Sequence, residues 1–193
     1  MSDIHLVQIN QLDKLRSAWQ PAVEFLFGQP VPEANFTGFE VLEELAKPQV
    51  VLDEIQTYQY KIQIPARSFT NDVILLADVL QEMVKGLWPV ESKDTETSAL
   101  CEGVAIFGAI TGIKQVFGDE SVDSFLNALR EQAFAYYDAF SYVAVLLADD
   151  PQAIKKLRDV QPFLYKLVKS DFETANVEVE RKMKDILLLT FRG

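Results

Sequence analysis

Apolar residues recur along this chain mostly at steps of three and four, the period of a helix with one face against a core. Leu12, Leu15, Trp19, Val23 and Leu26 form the first such stripe, closed by Gly28 and Pro30. Pro21 falls inside it and lacks a backbone donor, which predicts a kink or a second helix starting with Pro21 in its first turn. Residues 29–36 read as a loop. Thr37 and Glu40 then stand at capping-box spacing before VLEELA, which predicts a helix ending near Pro48.

Residues 48–64 carry two competing patterns. Val51, Ile55, Tyr58 and Ile62 share one helical face, whereas Tyr58, Tyr60, Ile62 and Ile64 alternate with Gln59, Lys61 and Gln63 as in a half-buried strand. No second stretch alternates comparably, and a lone strand would leave its backbone groups unpaired. Helix is therefore the preferred reading, with residues 57–64 the point where strand stays open.

Later signals are cleaner. Thr70 or Asn71 can cap a helix with the stripe Val73, Leu76, Ala77, Leu80, Val84 and Leu87, ending before Pro89. Glu91 to Thr97 reads as a loop. Gly118 closes the next helix, and Asp119 or Ser121 opens another. Asp150-Pro151 looks like a cap with proline at the first helical position. Ser170 to Glu173 has capping-box spacing, and Phe172, Val179, Met183, Ile186 and Leu189 line a last helix. The pattern predicts an all-α fold, a single compact bundle of about eight or nine helices. One domain spans 1–193, with residues 1–10 frayed and 151–193 forming a more basic C-terminal helical pair packed on the rest.

Two neighbouring helices stand out because they are apolar on more than one side. Over 98–117, Cys101, Ala105, Gly108, Ala109 and Gly112 gather on one face, and Ile106, Ile110, Ile113 and Phe117 on another. Glycine inside a helix costs up to about 1 kcal/mol against alanine. Gly103, Gly108 and Gly112 therefore predict close packing, with 98–117 as the central helix. Over 121–149, Phe125, Leu129, Tyr136, Phe140, Val143 and Leu147 predict a core stripe. The opposite side carries Phe134, Asp138, Tyr142 and Val145 beside Glu131, and such a side needs cover from this chain or from a partner.

Composition narrows the function. Hydrophobic residues make up 49% and charged residues 24%, values of an ordinary globular chain. The net charge of −11 argues against nucleic acid, which requires clustered Lys and Arg. Residues 1–150 hold 9 basic and 23 acidic side chains, a net −14, while 151–193 hold 9 and 6, a net +3. The single cysteine fits a reducing, cytoplasmic setting. No secretory signal is visible, and Glu102, Lys114 and Gln115 argue against a membrane span over 99–117.

The catalytic inventory is thin. His5 is the only histidine, which leaves no base for a hydrolytic triad and no Glu-x-x-His pairs for a di-iron bundle. Cys101 reads as a buried, inert thiol, and no phosphate-cradling glycine motif is present. Glu40-x-x-Glu43 and Glu91-x-x-Asp94 match the strings by which all-α nucleotide pyrophosphohydrolases hold Mg²⁺ on neighbouring helices. The second string falls in an expected loop, so these acids, with Asp78 and Glu82, read as solvated faces. Glu102 and Asp138 each interrupt an apolar helix, and Lys114 or Arg130 is the expected partner of one of them.

These features lead to an expected intracellular protein-interaction module, of adaptor, inhibitor or immunity type, without catalysis, metal or cofactor. Its contacts would be Phe134, Asp138, Tyr142 and Val145, and its partner a protein, basic by complementarity, or a second copy. The alternative is a helical enzyme or binder for an apolar small ligand or Mg²⁺, with a pocket at Glu102, Tyr136, Tyr137 and Phe140.

Overall fold

A computed structural model describes residues 3–193. Helix α1 (Asp3–Phe27) leads into three strands, β1 (Asn35–Leu42), β2 (Gln49–Leu52) and β3 (Gln59–Pro65). There follow α2 (Asp72–Lys85), α3 (Ala99–Phe117), α4 (Asp119–Gln132), α5 (Phe134–Asp149), α6 (Ala153–Val160), α7 (Lys169–Thr174) and α8 (Arg181–Leu187). The fold is mostly helical, with eight α-helices among the described residues, but it is not purely α.

The sheet corrects the expectation of helices over 37–46 and 48–64. Its order is β1-β3-β2, with β1 parallel and β2 antiparallel to β3. Tyr60, Ile62 and Ile64 bury the alternating face that the sequence offered as its second option. Ile55, needed for the helical option, is 92% exposed in the β2–β3 turn, where the Asp53 carboxylate accepts from the Ile55 and Gln56 amides. The partner strand was hidden by a bulge. Phe36 pairs with Tyr60 but Phe39 with Ile62, and Gly38 between them sits at φ 134°. Three residues of β1 thus span two of β3, which breaks the alternation in sequence. The apparent capping box is used differently too. Thr37 Oγ1 donates to the Tyr60 carbonyl, and the Glu40 carboxylate meets Lys61 Nζ at 2.8 Å across the strands.

α1 continues through Pro21 as one helix, burying Leu12, Val23 and Phe27. Of the expected frayed segment, Met1 and Ser2 lie outside the described residues, and the chain is helical from Asp3. Asn71 caps α2 by accepting from the Val73 and Ile74 amides, and Ser98 caps α3 through the Cys101 amide. The expected helix over 121–149 is two helices, because Ala133 (φ −149°, ψ 54°) breaks it. The C-terminal pair is likewise three short helices, with Asn176 at φ 53° ending the run after α7.

α3 occupies the centre. A Cβ on Gly108 would stand 2.8 Å from Val84 Cγ2 of α2, one on Gly112 would collide with Leu80, and one on Gly103 with the Ala139 carbonyl of α5. The glycines thus admit neighbours from two sides, at separations no larger residue permits. α3 is the one described helix long and apolar enough to cross a bilayer, and 67% of its apolar window is buried inside the protein. The core runs without interruption from Leu12 to Leu187.

Arg158 on α6 joins distant segments. Its guanidinium donates to the carbonyls of Phe27 and Gln29 at 2.6 Å and of Leu87 at 3.5 Å, its Nε donates to that of Pro162 at 3.3 Å, and it lies 4.8 Å from the Trp88 ring.

Candidate functional site

The four expected contact residues fall along one side of α5. Phe134 is 60% exposed, Val145 is 52% exposed and Asp138 is exposed, while Tyr142 is half-buried against the core. Asp138 therefore needs no ion pair. Lys114 meets Asp119 at 2.8 Å and Arg130 donates to Asn127, so neither basic residue serves the acid it was expected to serve. The core side of α5 is Ala139, Val143 and Leu146. Phe125, Leu129, Tyr136, Phe140 and Leu147 are only half-buried, because the break at Ala133 shifts the phase between α4 and α5.

Val145 also borders the largest groove described, about 850 Å³, between α5, α7 and α8. Its apolar floor comes from Val145, Leu146, Phe172, Val177 and Met183. Asp149, Glu173, Glu178 and Glu180 stand around it, against one lysine, Lys184. Lys184 Nζ lies 3.5 Å from Glu173 and 5.9 Å from the Phe172 ring centre, so its charge is partly spent within the protein. The groove opens where the chain leaves helical geometry at Asn176 and does not regain it until α8 begins after Glu180.

A second site lies under the sheet. Glu82 and Lys85 are one turn apart on α2, and Glu102 faces them from the first turn of α3. Lys85 Nζ bridges Glu82 Oε1 at 3.1 Å and Glu102 Oε2 at 3.0 Å, and Thr97 Oγ1 donates to Glu102 Oε1 at 3.3 Å. Glu82 is 1% exposed, and its partners are the Lys85 ammonium and the Val50 amide. Burial pushes the Glu82 carboxyl above the usual carboxylate range; Lys85 opposes that push and Glu102 adds to it. Burial alone would depress Lys85, but the two carboxylates outweigh it and hold the ammonium above its ordinary range. These residues line a cavity of about 190 Å³ that also reaches Trp88, Thr97, Cys101 and Tyr165. Burial raises the Cys101 thiol to about 11, which agrees with an inert thiol.

Of the expected pocket, Glu102 reaches this cavity while Tyr136, Tyr137 and Phe140 do not line it. Tyr136 packs edge-on against Phe191, Tyr137 near Phe134, and Phe140 near Phe107. The solvated reading fails for Glu82 and for Asp78. Asp78 is half-buried and accepts from Ser68 Oγ at 2.5 Å, and burial raises it to about 6. Lys85, Thr97 and Tyr165 are not marked as site residues by the sequence pattern. For Lys85 a signal existed: an acid and a lysine at i, i+3 flanked by Leu75, Val79 and Met83, on a side of α2 away from the stripe first read.

The two Mg²⁺-type strings do not converge. Glu40 lies on β1 against Lys61, Glu43 lies 3.8 Å from His5, and Glu91 accepts from Tyr58 and pairs with Lys166. Among the described residues, no group of three or more His, Cys, Asp or Glu side chains is arranged to hold a metal ion. No protein-family model matches the sequence, and neither a curated protein nor a solved structure matches it.

Proposed function

We propose that this chain is a non-catalytic protein-interaction module, an adaptor, inhibitor or immunity-type binder of the cytoplasm, that takes a basic amphipathic helix of a partner protein into the α5–α7–α8 groove. One observation carries the reading: an apolar floor beside four carboxylates and one already engaged lysine. An amphipathic helix lays its apolar side into such a groove, and its lysines meet the acidic rim. Phe134, Asp138 and Tyr142 extend the contact along α5, with Val145 shared between stripe and groove. The overall charge of −11 favours encounter with a basic partner.

The test is fluorescence anisotropy with a labelled Leu/Lys amphipathic helical peptide. Saturable binding that weakens with salt is expected, with a loss of at least about tenfold for Val145→Arg and for Glu178→Lys. Equal binding of a Leu/Glu peptide, or no effect of either substitution, overturns the reading. Light scattering covers the other occupant: a dimer dispersed by Tyr142→Asp or Val145→Arg would assign this surface to a second copy instead.

A further inference from the structure

One side chain in the α5–α7–α8 groove is placed against its own chemistry. Among the described lysines that pair with an acid, Lys184 has the least exposed side chain, 13% against 25% for Lys85. It also has the longest such pair, 3.5 Å to Glu173 Oε1, and that carboxylate is itself 77% exposed. Lys85, by contrast, sits between two carboxylates at 3.0 and 3.1 Å. A lysine at a helix surface ordinarily carries its charge into water on its flexible stem. Lys184 instead keeps its ammonium in the groove, over the Phe172 ring at 5.9 Å from the ring centre. A weak pair with an exposed acid adds little to stability, and an apolar side chain of similar size would fill a covered place as well.

What Lys184 meets is what a visiting lysine would seek: a carboxylate and an aromatic ring at the edge of an apolar floor. Given a groove that takes a basic helix, as proposed above, we infer that Lys184 is its built-in competitor. Its ammonium holds the position at Glu173 and Phe172 that a lysine of the partner takes over. On binding, the partner's ammonium replaces it, and the flexible stem of Lys184 carries the displaced charge out to solvent. The contact is autoinhibitory, and it sharpens selection. A helix without a cation breaks the Lys184–Glu173 pair and puts nothing in its place, so purely apolar helices are disfavoured against basic ones.

The test uses the labelled Leu/Lys peptide and the melting temperature of each variant. Lys184→Met should bind the peptide about threefold tighter or more, because Glu173 is set free. Lys182→Met removes the same charge from an exposed position of α8, and should change the affinity by less than about 1.5-fold through the screened field alone. Glu173→Gln should matter little in the parent, where Lys184 already occupies that acid, and should abolish the gain of Lys184→Met. Lys184→Met should also melt at or above the parent's temperature, since it leaves only an exposed acid unpaired. The competitor role falls alone if the parent binds the peptide and Lys184→Met binds no tighter. It falls likewise if Lys182→Met gives an equal gain, or if the gain survives Glu173→Gln. A melting temperature clearly below the parent's makes Lys184 a structural strut and overturns the role without any peptide. Binding by neither the parent nor Lys184→Met sinks the groove itself, and the competitor with it.

Discussion

α3 and α5 carry similarly apolar sequences, each interrupted by one acid, yet they have opposite surroundings. α3 is enclosed on two sides, and its acid, Glu102, is buried on Lys85. α5 is enclosed on one side, and its acid, Asp138, faces solvent between Phe134 and Tyr142. The difference lies in the small residues. Gly103 lets the α5 backbone, and Gly108 the Val84 side chain of α2, press against α3, whereas α5 leaves Phe134 and Val145 exposed on its outer face. Apolar composition alone does not decide burial; the room it leaves for a neighbour does.

The sharpest break in this comparison is at the acids. Lys85→Met should destabilise the protein by about 3–5 kcal/mol at neutral pH, because two buried carboxylates lose their counter-charge. Asp138→Asn on α5 should stay within about 0.5 kcal/mol. Urea denaturation of both variants measures the contrast, and equal effects would dissolve it. The pH profile gives a second check. Glu82 already sits above its ordinary range in the fold, so its protonated form favours folding; that contribution is present at low pH and fades as the pH rises. Lys85→Met should therefore recover towards the parent as the solution is acidified.

Packing gives the next contrast. Gly108→Leu should cost up to about 3 kcal/mol, since its first carbon already meets Val84 and Phe27. Gly118→Ala meets no atom within 4 Å, but φ 83° and ψ −178° suit glycine alone, and about 1–3 kcal/mol of strain is expected there. Val145→Ala on the open side of α5 should cost under about 0.5 kcal/mol. Thermal melts that rank these three differently would overturn the account of α3 as the gripped helix.

Asp78, half-buried on α2, adds a contrast that depends on pH. Its folded value of about 6 exceeds the ordinary 3.8, so its stabilising contribution is complete below about 3.8 and lost as the pH rises through about 6. Asp78→Asn should match the parent near pH 4 and exceed it near pH 7, as read by denaturant midpoints. A parent and variant that run parallel across this window would assign the pH response elsewhere.

The enclosed helix was legible because its glycines and isoleucines sort onto separate faces, and the boundaries at Asn71, Ser98 and Gly118 follow from ordinary capping chemistry. The sheet was not, because the bulge at Gly38 throws β1 out of alternation while Thr37 and Glu40 imitate a helix start. The break at Ala133 carries no glycine or proline to announce it. Val145 and Asp138 were correctly placed on an outer side, but the groove beside Val145 depends on α7 and α8, which meet α5 only through tertiary packing. The ionic cavity needed α2 and α3 to be brought together, and no spacing within either helix specifies that.

Arg158 has a consequence of another kind. Its four acceptors are main-chain carbonyls at positions 27, 29, 87 and 162, so they persist whatever side chains occupy those positions. A joint among three segments, around 27–29, 87 and 158–162, thus depends on the identity of one residue only. Sequence drift at the acceptor positions can alter their side chains freely without removing a bond. Where Lys85 is held by partners that both mutation and protons can remove, Arg158 is held by the polypeptide itself.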